Sequence, residues 1–229
     1  DSIMALVLNG SNDTITGLQI NSANIVDGSI VNADINASAA IASSKLSGVA
    51  AGWVHAAEVT LPTNASTITL TGVPDGASHI RYLIRYMSFA DVAQAKLRLQ
   101  KSTTGGSTSI ITANYQSFSS YFATAGSSSG GGGNTDGIDI FDAYSNPANN
   151  LFGSVDIYRI GTNGSDGTNY LIQHQGFANY SGTLSANFMT NAYIELGTGS
   201  TDFISGAQFY GNTGENFDNG YINQSYLVS

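Results

Sequence analysis

Cysteine is absent from the 229-residue chain, proline occurs 3 times, and charged residues make up only 10% of the sequence. The absence of cysteine excludes disulfides and thiolate metal sites. Ordinary soluble domains contain about 25% charged residues, many of them on the outer surfaces of helices. The scarcity of charge, together with 27 glycines and many Ser, Thr and Asn residues, therefore predicts a mostly β protein.

Basic residues are also scarce, and long apolar runs are missing. The chain has 7 Lys and Arg residues against 16 Asp and Glu, which gives a formal net charge of -9 at pH 7. Binding to duplex nucleic acid depends on cations that neutralise phosphates, so we expect no nucleic-acid partner. No segment approaches the length of apolar sequence that a membrane-spanning helix needs, so we expect no membrane insertion.

A five-residue repeat distinguishes residues 1–52 from the rest of the chain. Isoleucine recurs at every fifth position, which matches neither the helical period nor the two-residue alternation of a strand. The pattern resembles pentapeptide repeats but covers barely more than one coil, which leaves the isoleucine row in contact with water. We expect an extended arm that self-associates about a three-fold axis, with a short helix beginning in residues 37–42 as the alternative. The oligomerising residues are predicted to be Ile20, Ile25, Ile30 and Ile35.

Residues 53–229 show the alternation and the turn residues of a β domain. Residues 79–88 have a predicted inner face formed by Ile80, Tyr82, Ile84 and Tyr86. Residues 94–101 alternate in the same way, with an inner face formed by Ala95, Leu97 and Leu99. About ten short strands between Gly-rich turns predict an all-β, antiparallel β-sandwich head of jelly-roll-like type. The Gly- and Ser-rich segment 126–133 is predicted to be a flexible surface loop.

Three segments carry a resemblance to bacteriophage proteins. Residues 26–46 resemble a segment that recurs in phage tail fibres, and residues 70–86 and 203–211 are similar to the β-sandwich heads of such fibres and related virion appendages. The resemblance implies a homotrimeric structural protein on the virion surface, in contact with other virion proteins, whose head recognises a host-surface polysaccharide. The alternatives are a capsid decoration protein, a structural fibre segment without a ligand, a glycan-cleaving appendage enzyme, and a bacterial adhesin.

Basic residues are the first candidates for ligand contact in the head. Arg81 and Arg85 share one predicted strand face, and Lys96 and Arg98 share another. If the two strands are neighbours, these side chains form a basic face for an anionic polysaccharide or an acidic subunit. The alternative is that each cation pairs with a nearby acid, such as Asp75, Asp91 or Glu58.

Aromatic residues interleaved with amides and hydroxyls are the second candidates. Aromatic rings stack on the apolar faces of sugars, while amides and hydroxyls bond to sugar hydroxyl groups. Tyr115, Phe118 and Tyr121 are therefore predicted to form a saccharide platform. Rings of this kind also fill sandwich cores and subunit interfaces, which is the alternative interpretation.

Catalytic patterns are weak in this sequence. A G-x-S-x-G match at residues 126–130 lies in a Gly/Ser tract without the strand and helix that flank a catalytic serine. The histidines fall on predicted strands without metal-ligand spacing, and we interpret them as partly exposed strand residues: His55, His79 and His174. We therefore expect no enzymatic activity and no cofactor.

Carboxylates offer a weak calcium signal. Asp136, Asp139 and Asp142 occur within seven residues, and oxygen-rich clusters of this kind can bind Ca²⁺ or, as pairs, hydrolyse glycosides. Asp166 lies in a separate loop of Asn, Gly and Ser. Solvated loop positions are the simpler interpretation of all four residues.

Overall fold

The computed structural model describes residues 52–228, apart from 92, 104–105, 124–125, 135, 146–148, 163–167, 181–182 and 198–200. The side chains of strand residues 121–123, 126–134, 142–145, 149, 162, 180 and 183–186 are likewise outside the description. Ile20, Ile25, Ile30 and Ile35 therefore lie outside the described residues, as does Asp166. The extended arm and its role in oligomerisation stay predictions.

Thirteen β-strands occupy most of the described part of the chain. Their bounds are β1 Trp53–Thr60, β2 Thr67–Leu70, β3 Ala77–Phe89, β4 Ala93–Ser102, β5 Thr108–Ile110, β6 Tyr115–Ala123, β7 Gly126–Asn134, β8 Ile138–Ser145, β9 Asn149–Thr162, β10 Thr168–Tyr180, β11 Thr183–Glu195, β12 Phe203–Gly211 and β13 Phe217–Val228.

The strands form two antiparallel sheets. The larger sheet has eight strands in the order β1-β13-β3-β9-β10-β11-β6-β7. The smaller sheet has the order β2-β12-β4-β5, and β8 also pairs with β4. Successive side chains of a strand point to opposite faces of the sheet. Each sheet therefore has one apolar face and one more polar face. The predicted all-β, antiparallel sandwich is confirmed.

The apolar faces of the two sheets pack on each other. Tyr82 of β3 meets Phe209 of β12 edge to face, with ring centroids 5.3 Å apart. The backbone N–H of Ile204 donates to the Tyr170 hydroxyl at 3.2 Å, which joins β12 to β10. The inner faces predicted for β3 and β4 are buried at Ile80, Tyr82, Ile84, Ala95, Leu97 and Leu99. These contacts leave the opposite face of the eight-stranded sheet, here called the outer face, as a surface.

A β-bulge reverses the predicted orientation of Tyr86. The pairing of β3 with both neighbouring strands shifts after residues 84–85, and Tyr86 has φ of 57°. An inserted residue moves the following side chain to the other face of the sheet. Tyr86, expected inside, is therefore 50% exposed, and Met87 is buried in its place. Gly220 packs against this bulge, where a Cβ atom would lie 2.8 Å from Met87 Cα.

The Gly- and Ser-rich segment that was predicted to be a loop forms strand β7. It pairs with β6 from Tyr115↔Asn134 to Ala123↔Gly126 and lies at the edge of the larger sheet. Ladder hydrogen bonds use only backbone groups, and an edge strand has a neighbour on one side only. A segment almost without side chains can therefore complete a sheet, and the loop prediction is wrong.

Candidate functional site

The strand register arranges the side chains of the outer face in rows that cross the strands. One row, here called the aromatic row, runs from β1 to β11 through Trp53, Leu227, His79, Tyr158, Leu171 and Tyr193. The next row, here called the polar row, runs from β3 to β6 through Arg81, Asp156, Gln173, Asn191 and Phe118. Neighbouring strands lie about 4.8 Å apart, so adjacent members of a row are in contact range.

A groove of about 580 Å³ lies between the two rows where they cross β10, β11 and β6. Binding sites for small molecules usually combine apolar walls with a few polar groups. This groove has both, because rings and an aliphatic side chain stand beside two exposed amides. Its lining consists of Gln116, Ser117, Phe118, Leu171, Asn191, Ala192 and Tyr193.

Phe118 is accessible, as predicted for an aromatic ligand contact, with 52% of its surface exposed. Its cross-strand partner on β7 is Gly131, and the flanking positions of β7 are Gly130 and Gly132. Glycine has no side chain to cover a neighbouring ring. The composition of β7 thus explains why a large apolar ring remains open at this side of the groove.

Hydrogen bonds orient the polar side chains near Phe118. Gln173 Nε2 donates to Asn191 Oδ1 at 3.2 Å, and the Tyr193 hydroxyl donates to Asn169 Oδ1 at 2.7 Å. A primary amide carries two N–H donors and one carbonyl acceptor, so a single bond does not exhaust the capacity of either amide. The groove therefore presents donors and acceptors without a net charge.

Tyr115 does not belong to this surface, which corrects its prediction as a ligand contact. Its side chain is 1% exposed and faces the core. Its hydroxyl donates to the Ile111 carbonyl at 2.9 Å and accepts from the Leu99 N–H at 2.8 Å. Burial raises the pKa of this hydroxyl above its ordinary value of 10. Tyr115 is therefore a structural tie between the two sheets.

Strand geometry explains why the three predicted rings cannot form one platform. Residues 115 and 118 are separated by an odd number, so they lie on opposite faces of β6. The Tyr121 side chain lies outside the described residues, and its role stays a prediction. The alternation along residues 115–121 was the sequence signal that separates Tyr115 from Phe118.

The four basic candidates do not form one basic face. Arg81 and Arg85 lie on β3 in the eight-stranded sheet, whereas Lys96 and Arg98 lie on β4 in the other sheet. The sequence pattern identified the alternation in each strand correctly but contained no information on which strands are neighbours. The condition for a shared basic surface is therefore not met.

Each of these basic residues forms a salt bridge. Lys96 Nζ lies 3.1 Å from Asp139 Oδ1, and Arg85 Nη2 lies 2.8 Å from Glu58 Oε2. The Arg98 guanidinium bonds to the Asp136 carboxylate and stacks on the Tyr210 ring, 4.2 Å from its centroid. Arg81 Nε bonds to Asp156 Oδ1 at 2.7 Å. The alternative interpretation of the sequence, in which each cation pairs with an acid, is therefore correct for these four residues.

A second aromatic cluster lies at the opposite end of the aromatic row. Trp53 is 46% exposed and meets His79 edge to face at 4.6 Å, and His79 stacks on Tyr158 at 4.2 Å. The Arg81 guanidinium lies 5.1 Å from the centroid of the Trp53 ring. His79 Nε2 also bonds to Asp156 Oδ1 at 2.7 Å. Sequence reasoning missed this cluster because its members come from β1, β3 and β9.

His174 is buried, which corrects its interpretation as a partly exposed strand residue. It is 3% exposed on the inner face of β10, where its ring meets Phe141 edge to face at 4.6 Å. Neither ring nitrogen has a hydrogen-bond partner in the described part of the chain. Burial lowers the pKa of His174 from 6.5 to about 3. His174 therefore belongs to the core and does not reach the groove.

Two of the candidate calcium ligands pair with cations in the described part of the chain. The carboxylates of Asp136 and Asp139, candidates for calcium, are bound by Arg98 and Lys96. Across residues 52–228, with their gaps, no group of three or more His, Asp or Glu side chains is placed to hold a metal ion. The same part of the chain contains no helix long and apolar enough to cross a membrane.

Comparisons with known proteins give no assignment by similarity. No family model matches. Neither a curated protein nor a solved structure is significantly similar to the chain. The functional argument therefore rests on the sequence and on the geometry of the outer face.

Proposed function

We propose that this protein is a fibre-type appendage of a bacteriophage virion and that its β-sandwich head binds a host-surface glycan in the groove beside Phe118. One observation carries the glycan part of the proposal: a half-exposed ring and two neutral amides share one groove, and Gln173 orients one of these amides, Asn191. A sugar has apolar C–H faces that stack on a ring and hydroxyl groups that bond to amides. The groove matches both properties.

The virion part of the proposal rests on the sequence. The resemblance of residues 26–46 and 203–211 to fibre segments supports an appendage, and the isoleucine arm supports a homotrimer. Other virion proteins are then its neighbours in the particle. The five-residue period and the outer-face groove are independent features, so the two parts of the proposal can be tested separately.

Binding without hydrolysis is the activity that the described acids support. A glycosidase needs two carboxyl groups facing one substrate bond, one of them with a raised pKa. Asp136 and Asp139 are held by cations on the smaller sheet, and Asp156 bonds to His79, Arg81 and Ser154. None of the groove-lining side chains is acidic.

A glycan array followed by calorimetry tests the binding proposal. We expect the full chain to bind a glycan and the Phe118→Ala variant to bind it about tenfold more weakly, because the stacking contact is lost. Ile160→Ala is the matched control, since Ile160 is an exposed apolar residue (56%) of the same sheet that does not line the groove. Absence of glycan binding, with a correctly folded trimer, would instead favour a capsid decoration or structural fibre protein.

Light scattering tests the assembly proposal. We expect the full chain to have a mass of about three times 23.7 kDa. A version that begins at Trp53 is expected to dissociate more readily, because it lacks the isoleucine row. A stable monomer of full length would refute the three-fold arm.

A further inference from the structure

We infer that the glycan site extends beyond the groove as a track that crosses the strands from Phe118 on β6 to Trp53 on β1. Its ligand is a linear, uncharged polysaccharide. The inference rests on the proposed function, because it extends the site assigned there. It adds the direction, length and charge of the bound chain.

Continuity of the two rows gives the track its direction. The groove already spans β6, β11 and β10 between the aromatic row and the polar row. Beyond β10, the same rows continue through Tyr158 and Asp156 on β9 and through His79 and Arg81 on β3. The aromatic row ends at Trp53 on the edge strand β1. A chain that is seated in the groove and runs across the sheet therefore meets an aromatic or aliphatic side chain at each strand, and polar groups as far as β3.

The third row of the outer face gives the track its other side. Leu83, Ser154, Gln175 and Met189 lie opposite one another on β3, β9, β10 and β11. Leu83 and Met189 are more than 40% exposed. The polar row thus runs between two rows that contain apolar side chains. This arrangement suits a sugar chain, whose hydroxyl groups and C–H faces need different neighbours.

Charge identifies the ligand as uncharged. Each of the six Lys and Arg residues in the described part of the chain forms a salt bridge. Arg81, the cation of the polar row, is neutralised by Asp156. The neutral polar groups of that row are the exposed amides of Gln173 and Asn191, which lie beside the partly exposed, paired Arg81. An anionic polysaccharide would be repelled by a chain with a formal net charge of -9. Among the described residues, it would find no Lys or Arg that is not already paired with an acid.

Strand spacing gives the length of the bound chain. Six steps separate β6 from β1 in the strand order. At about 4.8 Å for each step, the track is about 29 Å long. One pyranose unit is similar in length to one strand spacing, so the track accommodates about six units. The groove spans two steps, about 10 Å, and three units are enough to cover it.

A length series of the glycan identified on the array tests the track. We expect affinity of the full chain to increase from the trisaccharide to the hexasaccharide and then to level off. Trp53→Ala should weaken hexasaccharide binding about tenfold and leave trisaccharide binding unchanged, because only the longer ligand reaches β1. Val54→Ala is the matched control, since Val54 is the next residue of β1 and is 43% exposed, close to the 46% of Trp53.

Tryptophan fluorescence provides a test that needs no substitution. Trp53 is the single tryptophan of the chain. We expect the hexasaccharide to shift its emission and the trisaccharide to leave the emission unchanged. Because this measurement uses the unsubstituted chain, it remains valid even if Trp53→Ala lowers the stability of the fold.

The outcomes distinguish this inference from the proposed function. If affinity levels off at the trisaccharide and Trp53 emission does not respond, while Phe118→Ala still weakens binding, the track is refuted and the groove stands. Tighter binding of a charged glycan than of its neutral counterpart would refute the uncharged ligand. If no glycan of any length binds, the proposed function and the track both fail.

Discussion

The buried imidazole of His174 should make the fold sensitive to mild acid. Its pKa in the folded protein is about 3, against an ordinary value of 6.5, because burial disfavours the charged form. As the pH falls below 6.5, the unfolded chain takes up a proton that the folded chain cannot accept. The stability associated with this group is therefore complete above pH 6.5 and is lost progressively as the pH falls toward 3.

The magnitude follows from the linkage between proton binding and folding. Each pH unit between the two pKa values changes the free energy of unfolding by about 1.4 kcal/mol. At pH 4.5, about two units below the unfolded value, His174 alone should lower the free energy of unfolding by about 3 kcal/mol. This is a large part of the 5–15 kcal/mol that stabilises a typical domain.

Urea denaturation of His174→Leu at pH 7 and pH 4.5 isolates this effect. Leucine has a similar volume, cannot be protonated, and removes two buried nitrogens that lack partners. Between the two pH values, we expect the free energy of unfolding to fall by about 3 kcal/mol less in the variant than in the natural chain. Phe188→Leu, a buried change that involves no titratable group, should keep the natural pH dependence. Equal pH dependence of His174→Leu and the natural chain would refute the reasoning.

Three further substitutions test the fold by urea or thermal unfolding. Tyr115→Phe should lower the free energy of unfolding by about 1–3 kcal/mol, because the buried N–H of Leu99 loses its acceptor; an unchanged value would contradict the tie between the sheets. Gly206→Ala should destabilise strongly, since its Cβ would overlap the carbonyl oxygen of Leu70 and push β2 away from β12. Asp156→Ala should lower the free energy of unfolding by about 1–3 kcal/mol, because it removes an acceptor shared by His79 and Arg81. An unchanged free energy of unfolding would show that these bonds do not stabilise the fold.

The strands and their buried faces could be predicted from the sequence because alternation is a local property. Ile80, Tyr82 and Ile84 were predicted to face inward on β3, and all three are buried. The prediction failed at Tyr86, where the bulge inserts a residue. A bulge depends on how neighbouring strands pair, and that information is spread over distant parts of the chain.

The candidate site was less accessible to prediction because it is built from strands that are remote in sequence. Phe118 meets Asn191 across β6 and β11, and the polar row continues to residues 173, 156 and 81. Phe118 and its serine- and amide-rich surroundings were visible in the sequence, but Trp53 and Gln173 were not connected with it. The register between strands that are distant in the sequence determines which side chains share a row. This register cannot be read from the composition of any one segment.

The low charge of the sequence and the proposed binding of an uncharged glycan have a common physical basis. Long Lys, Arg and Glu side chains lose much rotamer entropy when they are fixed at an interface. The polar row instead presents Gln173 and Asn191, which already bond to each other at 3.2 Å, and its one arginine is fixed by Asp156. Less motion remains to be lost when a sugar chain binds, so weak individual bonds retain more of their free energy. On a surface of this composition, we expect a charged ligand to gain little free energy of binding. A long neutral ligand should gain the most, because it adds one contact at each strand.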